Sequence, residues 1–571
     1  MTMNNVAQKA KGLAGRKNNN LESEIKSKYD KKYFECRRSE LAEIFNCIKS
    51  DLQEQADYFS PNSVRFLARN VNKPRVRSKK IYDSTTLIAV RNFASGMMTG
   101  ATSPTRRWFK TGLMNKEIEN NHTVKQWCAK QSELTRKILY ASNFYQLLPE
   151  VYDQLSVFLF SCLALEPDYE TVVNFKCLPI GSYFYDKDRR GVVDTVCRNY
   201  MQSAKNLIAE FGEENVSDAV KNAFEKTPNA MFEIVHFVEP NKDYIKGSPV
   251  ADKKKFISAW YEVGSNEKFL RKSGFDRFPY VVFEASCNGE DTYPSKGLGA
   301  YALPDAKQLM AMVKEYAKAV KKMVTPAYKG PASLKGKDLS DAPGHFNETD
   351  DNGNGLSPVY EVNPRVLELA NGIQELRESI KSIFYNDLFA MILNTAERGR
   401  TATEVNELKE EKMVLLSPLL EQIHTALKQI LEWIFEEEAE KGILPEYPEE
   451  LQGQEIEIEF VSTLAQAMKA QNIASMERFT TFVANMGQVI DPVLLKKIQG
   501  EKMIDDYADF ANIDPSQVTP TEELNEYRAM LEQKQQQQEQ MQALQQGTQM
   551  VKNMGGADAF GGELMQRLGM G

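Results

Sequence analysis

The chain predicts a mixed α+β fold, mainly helical, on three observations. Long stretches before residue 150 and after residue 304 repeat apolar residues every three and four positions, the period of an amphipathic helix. Between about 155 and 285 the texture changes to short β-branched and aromatic runs divided by Gly, Pro, Asp and Lys, the pattern of antiparallel strands. A last helical stretch, with sparse apolar positions at Leu524, Leu531 and Met541, runs into the Gln-rich segment QKQQQQEQMQALQQ.

At 571 residues the chain is too long for one ordinary core and implies several packed regions. Its 42% hydrophobic and 26% charged residues are ordinary globular values, so a sizeable core is expected. A formal net charge of −8 argues against a surface that grips nucleic acid throughout by neutralising phosphates; contact with DNA is expected to be local. Cysteines at 36, 47, 128, 162, 177, 197 and 287 contain no CxxC pair, which gives neither a disulfide framework nor a zinc knuckle and fits a reducing compartment. The N-terminus has no apolar core of the secretory type, and the most apolar run, LSVFLFSCLAL at 155–165, is too short to span a bilayer as a helix.

Taken in order, residues 1–20 read as a disordered, solvated arm, and residues 1–40 carry ten Lys or Arg against five Asp or Glu. From 21 to 148 the signal is helical, with Leu41, Ile44, Phe45 and Ile48 as one example. The strand runs TVVNFKCL, GSYFYD, GVVDTVCRNY, MFEIVHFVEP, KFISAWYEV and FPYVVFEA follow, interrupted by a helical insert at 201–226. After Pro304, Leu309, Val313, Tyr316, Val320 and Met323 share a helix face. Lys307, Lys314, Lys318 and Lys321 fall on another, a stripe that is a solvated face in a monomer but would point at the axis of a ring.

Residues 325–363 are rich in Gly, Pro, Asp and Asn and form a loop-rich excursion. A second helix is expected over 364–393, and NTAERGR at 394–400 breaks it. Thr401 and Glu404 give a capping box for a third helix, in which Pro418 predicts a kink near 414–418. Residues 401–460 hold sixteen acids against four lysines, and alternation at 455–461 predicts a strand. Helices resume after 464, and Thr519 and Glu522 form a second capping box. The tail after the Gln-rich segment reads as flexible.

Chemical motifs are sparse. Gly96 and Gly100 are too close for a phosphate-binding loop and no Lys-Ser or Lys-Thr follows; GPASLKGKD at 330–338 has the wrong spacing. Gly96-x-x-x-Gly100 reads as close helix packing in a soluble protein. DDNGNGLSPVYE at 350–361 matches a calcium-loop pattern, with Asp350, Asn352, Asn354 and Glu361 as ligands and Gly355 as the turn. Against it, no entering helix precedes the loop and Pro358 occupies a ligand position, so a Gly-Asn turn is the better reading. Histidines at 122, 236, 345 and 424 are scattered and no G-x-S-x-G elbow occurs, so surface or satisfied core histidines are expected, with no enzyme and no cofactor. A soluble enzyme with a site assembled from distant residues, or a coiled-coil scaffold, are the competing readings.

FASGMMTGATSPTRRWF at 93–109, followed by SNFYQLLPEVYDQLSVFLFSCLALEPD, GFDRFPYVVFEA, GLGAYALPDAKQL and TATEVNELKEE, resembles the portal, or head-to-tail connecting, protein of short-tailed bacteriophages. The resemblance runs from about 93 to 525. It departs at 159–162, where LFSC replaces a glycine-containing turn, at Phe283 in place of Trp, and at 293–297.

The resemblance implies a wing over 21–302, stem helices at 303–324 and 364–393, a clip at 325–363 and a tunnel loop at 394–400. It implies further a kinked wing helix and strand at 401–461, a crown at 462–523, and a helical barrel with a flexible tail at 524–571. It also implies a twelve-subunit ring at one capsid vertex, with capsid and scaffolding proteins, the terminase and tail adaptors at the clip, and double-stranded DNA in the channel as partners. Such a protein sits in the virion after assembly in the host bacterial cytoplasm, and has no membrane partner. An acidic channel lets a polyanion slide, because phosphate contacts multiplied around a ring would bind too tightly. Lys307, Lys314, Lys318, Lys321, Arg398 and Arg400 are then the expected DNA-facing cations, with acids of a neighbouring stem helix as the rival partners of the lysines.

Overall fold

The computed structural model describes residues 29–67, 80–115, 118, 121–265, 268–285, 291–294, 297–335, single positions between 340 and 359, 366–393, 402–451, 453–462, 476–483, 500, 503–504, 507 and 521–553. The chain divides into two compact units, one of residues 1–111, 131–446 and 458–468, the other of 112–130, 447–457 and 469–571.

In the first unit, α1 (Lys31–Phe59) buries Phe34, Leu41, Phe45, Leu52 and Phe59, whose spacing returns them to one side of the helix. That side meets an antiparallel sheet: Phe34 lies 5.3 Å from Phe237 and Phe45 5.2 Å from Phe184, ring centre to ring centre. α2 (Thr85–Ala101) ends before Ser103 and Pro104, as the Ser-Pro pair predicts. Beyond it Trp108 and Phe109 are buried anchors: the Trp108 indole donates to the Tyr145 hydroxyl at 3.0 Å and stacks on Phe144 and Phe460.

The named strands of the expected region all pair antiparallel. One sheet has the order β4-β5-β6-β7-β8, from β4 (Tyr183–Lys187), β5 (Val193–Ser203), β6 (Met231–Pro240), β7 (Phe256–Glu262) and β8 (Arg271–Phe275). The other has the order β3-β2-β9, from β2 (Phe160–Asp168), β3 (Val172–Leu178) and β9 (Tyr280–Glu284). Several strands lay outside the strand runs quoted from the sequence, β2, β8 and a strand at 109–113 among them. β8 reads RKSGF, with a single large apolar residue, and takes its place by pairing with β7. β1 (Phe109–Leu113) lies within the block read as helical and forms a two-stranded sheet with β12 (Ile456–Phe460), the strand that alternation predicts. Within the first unit, Lys110 and Glu459 pair at 3.2 Å.

Two further helices, α3 (His122–Ala141) and α4 (Phe144–Phe158), complete the block. The apolar run at 155–165 is no single element. It ends α4 at Phe158, turns on Leu159 with φ 64°, and enters β2 at Phe160. The expected insert is two helices, α5 (Ala204–Phe211) and α6 (Asp218–Lys226), whose first turns are capped by the Ser203 and Ser217 hydroxyls. They close a small second core with Ile234 and Leu270.

α7 (Leu298–Val324) begins ahead of Pro304 and carries it inside, forfeiting one backbone donor. The second helical stretch is two helices, α8 (Val366–Ile383) and α9 (Asn386–Leu393), divided at Tyr385, which has φ 54°. α10 (Ala402–Glu440) is helical through Pro418, burying Leu420, Ile423, Leu427, Ile430 and Ile434. In the second unit, Trp127 packs on Tyr447 with ring centres 5.0 Å apart, and α11 (Thr521–Asn553) leaves Tyr527, Met530, Leu531 and Met541 exposed.

Candidate functional site

α7 and α8 pack along their length through Ala302, Ala306, Leu309, Ile373 and Ile380, all buried. At Gly372 a Cβ would come within 3.0 Å of Met312 Cε, so the helices approach closely there. The opposite side of α7 holds the four sequence-predicted lysines, all exposed. Lys307 Nζ lies 2.7 Å from Glu54 of α1, and Lys314 stands over the Tyr82 ring at 5.5 Å. Lys318 pairs with Glu315 one turn back at 2.6 Å, and that hydrogen bond draws the Glu315 carboxyl below its usual range. Exposed pairs of this kind contribute little to stability, so the stripe is positioned by the helix rather than by its ion pairs.

The helix pair is tied down at its base. Arg377 donates twice to one Asp83 oxygen, at 3.1 and 2.7 Å, while the other Asp83 oxygen accepts the Thr85 backbone N–H at 2.8 Å. Burial would raise this carboxyl; the Thr85 and Arg377 hydrogen bonds outweigh it and hold it below its usual range. Ser379 donates to Asp305 at 2.7 Å, linking α8 to α7. Gly96 of α2 faces the ring of Phe389 in α9, where an added Cβ would stand 2.2 Å from Cγ. The small-residue segment of 93–109 is therefore a seat for an aromatic ring, in agreement with the close-packing reading.

Arg398 and Arg400 lie outside the described residues, as do Asp350, Asn352, Asn354 and Glu361. Of the excursion between the helices, β10 (Tyr328–Lys329) pairs antiparallel with β11 (Ser357–Pro358), and Val359 N–H donates to Ala327 O at 2.7 Å. Pro358 of the calcium-loop pattern is thus a strand residue. Among the described residues no group of three or more His, Cys, Asp or Glu side chains could hold a metal ion, and no helix is long and apolar enough to cross a membrane.

Two polar clusters had no signal in the sequence. Glu438, fully buried in α10, accepts from Thr135 Oγ1 at 2.7 Å and Gln131 Nε2 at 3.1 Å, both on α3; Thr111 Oγ1 donates to Gln131 in turn. Burial pushes this carboxyl up, and the two hydrogen bonds only partly oppose it. Arg277, in the turn before β9, pairs with Glu436, Glu437 and Glu440 at 3.1, 2.9 and 2.7 Å and donates to the Trp433 carbonyl at 3.1 Å. These contacts hold the end of α10 against the three-stranded sheet. They span distances in sequence that no local pattern announces.

The family model of the bacteriophage head to tail connecting protein matches residues 31–519. A portal protein of Salmonella phage epsilon15 is 33% identical over 497 residues, covering 86% of this chain and 89% of its own. A probable portal protein of Bordetella phage BPP-1 is 33% identical over 517 residues, covering 89% of this chain and 92% of its own. A solved chain of a native gene transfer agent particle virion aligns at TM-score 0.31 and 10% identity over 68% of this chain and 89% of that one, a likeness that carries no argument. With a family match across most of its length and two relatives at this identity, the chain belongs to the bacteriophage head to tail connecting protein family.

Proposed function

We propose that the chain is a phage portal protein that forms a ring at one capsid vertex, through which DNA is packaged and ejected. The observation that carries this reading is 33% identity to two portal proteins across nearly nine-tenths of the chain. In this reading residues 303–324 and 364–393 are the stem, residues 325–363 the clip, and residues 394–400 the tunnel loop. The wing spans 21–302, with α10 and β12 crossing it; residues 462–523 form the crown and 524–571 the barrel and tail. Lys307, Lys314, Lys318, Lys321, Arg398 and Arg400 face DNA. The clip receives the packaging motor and later the tail adaptors, the wing meets capsid and scaffolding proteins, and the role is structural rather than enzymatic.

The lysine stripe fits this reading because Lys307 and Lys318 meet Glu54 and Glu315 only in solvent-exposed pairs, which hold the ammonium groups weakly enough for a passing phosphate backbone to draw them away. Exposed apolar side chains along α11 fit a helix completed by copies of itself. Negative-stain imaging with native mass measurement tests it. Twelve copies of the 64.8 kDa chain form a ring of about 778 kDa with a central hole. A monomer or dimer under all salt conditions, with and without capsid partners, would refute the ring.

A further inference from the structure

The face of the five-stranded sheet turned away from α1 carries a row that no part of the portal role requires. Cross-strand pairing places Arg198 of β5 opposite His236 of β6, His236 opposite Trp260 of β7, and Trp260 opposite Arg271 of β8. Residues so paired point to the same face of a sheet. His236 is buried and lies flat on the Trp260 indole, ring centres 3.8 Å apart and planes 7° apart. One ring nitrogen, Nε2, is 2.8 Å from the Ser258 hydroxyl, and the other, Nδ1, is 2.6 Å from the Tyr280 hydroxyl. Ser258 belongs to the same sheet on β7, but Tyr280 opens β9 of the three-stranded sheet. The imidazole is thus a polar bond between the two sheets.

We propose that His236 is a proton-sensitive rivet: neutral, it joins the two sheets; protonated, it drives them apart. Hydrogen bonding alone does not forbid the charge, since both hydroxyls can turn to accept from an imidazolium. The surroundings forbid it. The charged groups that act on the ring are Arg198 on β5, Lys176 on β3 and Arg271 on β8, all cations. Around Tyr280 and Tyr200 the field also includes Glu166 of β2 and Glu210 of α5, but these have other partners. Glu166 is held by Lys176 at 2.6 Å, and Glu210 by Gln202 at 2.6 Å. Tyr280, Tyr200 and Cys162, the remaining titratable neighbours, are all raised by burial and stay neutral. The Trp260 indole on which His236 lies also carries Arg271 at 5.6 Å, so an imidazolium there would share its ring with a second cation.

Burial and these three cations hold the imidazole well below its ordinary pKa of 6.5. The sign follows. Between that value and 6.5 the parted state takes up a proton that the joined state refuses, so the joint is at full strength above pH 6.5 and weakens as pH falls. Opening of the joint increases about tenfold for each pH unit below 6.5.

Two measurements on the full chain test this. Exchange at the imidazole C2 position, followed by mass spectrometry, titrates each of the four histidines of the unmodified protein separately. His236 should exchange slowly and titrate well below 6.5; titration at or above 6.5 overturns the proposal. Amide exchange, corrected for its intrinsic pH dependence, reports opening at β6 and β9. In the wild type it should rise about tenfold per unit from pH 6.5 downward. His236→Gln keeps a donor and an acceptor but cannot take the proton, and should flatten that slope. The same slope in His236→Gln assigns the acid response to another group and overturns the proposal. If the variant does not fold, the histidine titration of the unmodified chain decides alone.

Discussion

Replacing Gly96 by Ala asks whether the α2–α9 seat is as tight as it looks. An ideal Cβ at Gly96 would stand 2.2, 2.4 and 2.7 Å from three ring carbons of Phe389. Ordinary carbon contacts begin near 3.5 Å, so the ring must withdraw by about 1.3 Å. It has little room to do so: Phe389 is buried and meets Phe93 edge-on, ring centres 5.6 Å apart. Overpacking of this kind costs about 1–3 kcal/mol, and the better helix propensity of Ala returns about 1. A net loss of up to about 2 kcal/mol in denaturant unfolding of the first unit is expected. The diagnostic is a double-mutant cycle. In a Phe389→Ala background, which itself costs about 3–5 kcal/mol, the added methyl meets a void, and Gly96→Ala should become neutral or stabilising. Exposed Ser95→Ala should stay within about 0.5 kcal/mol in both backgrounds. A Gly96→Ala variant that is stabilised in the wild-type background, or a cycle that is additive, refutes the seat.

Three other outcomes are expected. Leu159 holds a left-handed backbone at the α4–β2 corner; Leu159→Gly should be less destabilising than Leu159→Ala by about 1 kcal/mol, inverting the usual order, as read by thermal unfolding. Glu438 has a raised pKa, so its charged form is a burden once pH exceeds that value. Glu438→Gln should therefore be more stable than wild type at pH 8 and lose that advantage as pH falls below the normal carboxylate range; an advantage independent of pH would show that ionisation is not the cause. Reversing the charge at Arg398 and Arg400 to Glu should impair retention of packaged DNA while rings still form, measured by nuclease protection and imaging. Failure to assemble would make those arginines structural.

The legible parts of the fold share one property: their signal is local. β3, β5, β6 and β7 announce themselves because β-branched and aromatic residues alternate between turn formers, and the lysine stripe because helical spacing is arithmetic. β8 stayed hidden because its pairing with β7, rather than its own composition, makes it a strand. The corner at Leu159 was marked as unusual by the missing glycine, but only backbone geometry shows that leucine accepts the left-handed turn. Gly96 was legible as a close contact without its partner, since Phe389 lies in a different helix far along the chain. Glu438 and His236 show the limit most clearly. Acids in α10 are many, and nothing in their sequence separates the buried Glu437 and Glu438 from the solvated ones. The hydroxyls that hold His236 come from two other strands, one of them in another sheet.

The short β10–β11 pairing has a consequence for how such a chain can diversify. It fastens the two feet of the excursion, Tyr328 to Pro358 and Lys329 to Ser357, just beyond α7 and ahead of α8. What lies between fastened feet costs mainly closure entropy, which grows only logarithmically, about 0.6 kcal/mol for each doubling of length. That is less than the roughly 0.8 kcal/mol carried by one buried methylene. Changes of length between the feet, away from the buried Leu334, thus weigh little on α7 and α8. The length of that segment can vary while the packing of α7 on α8 stays unchanged.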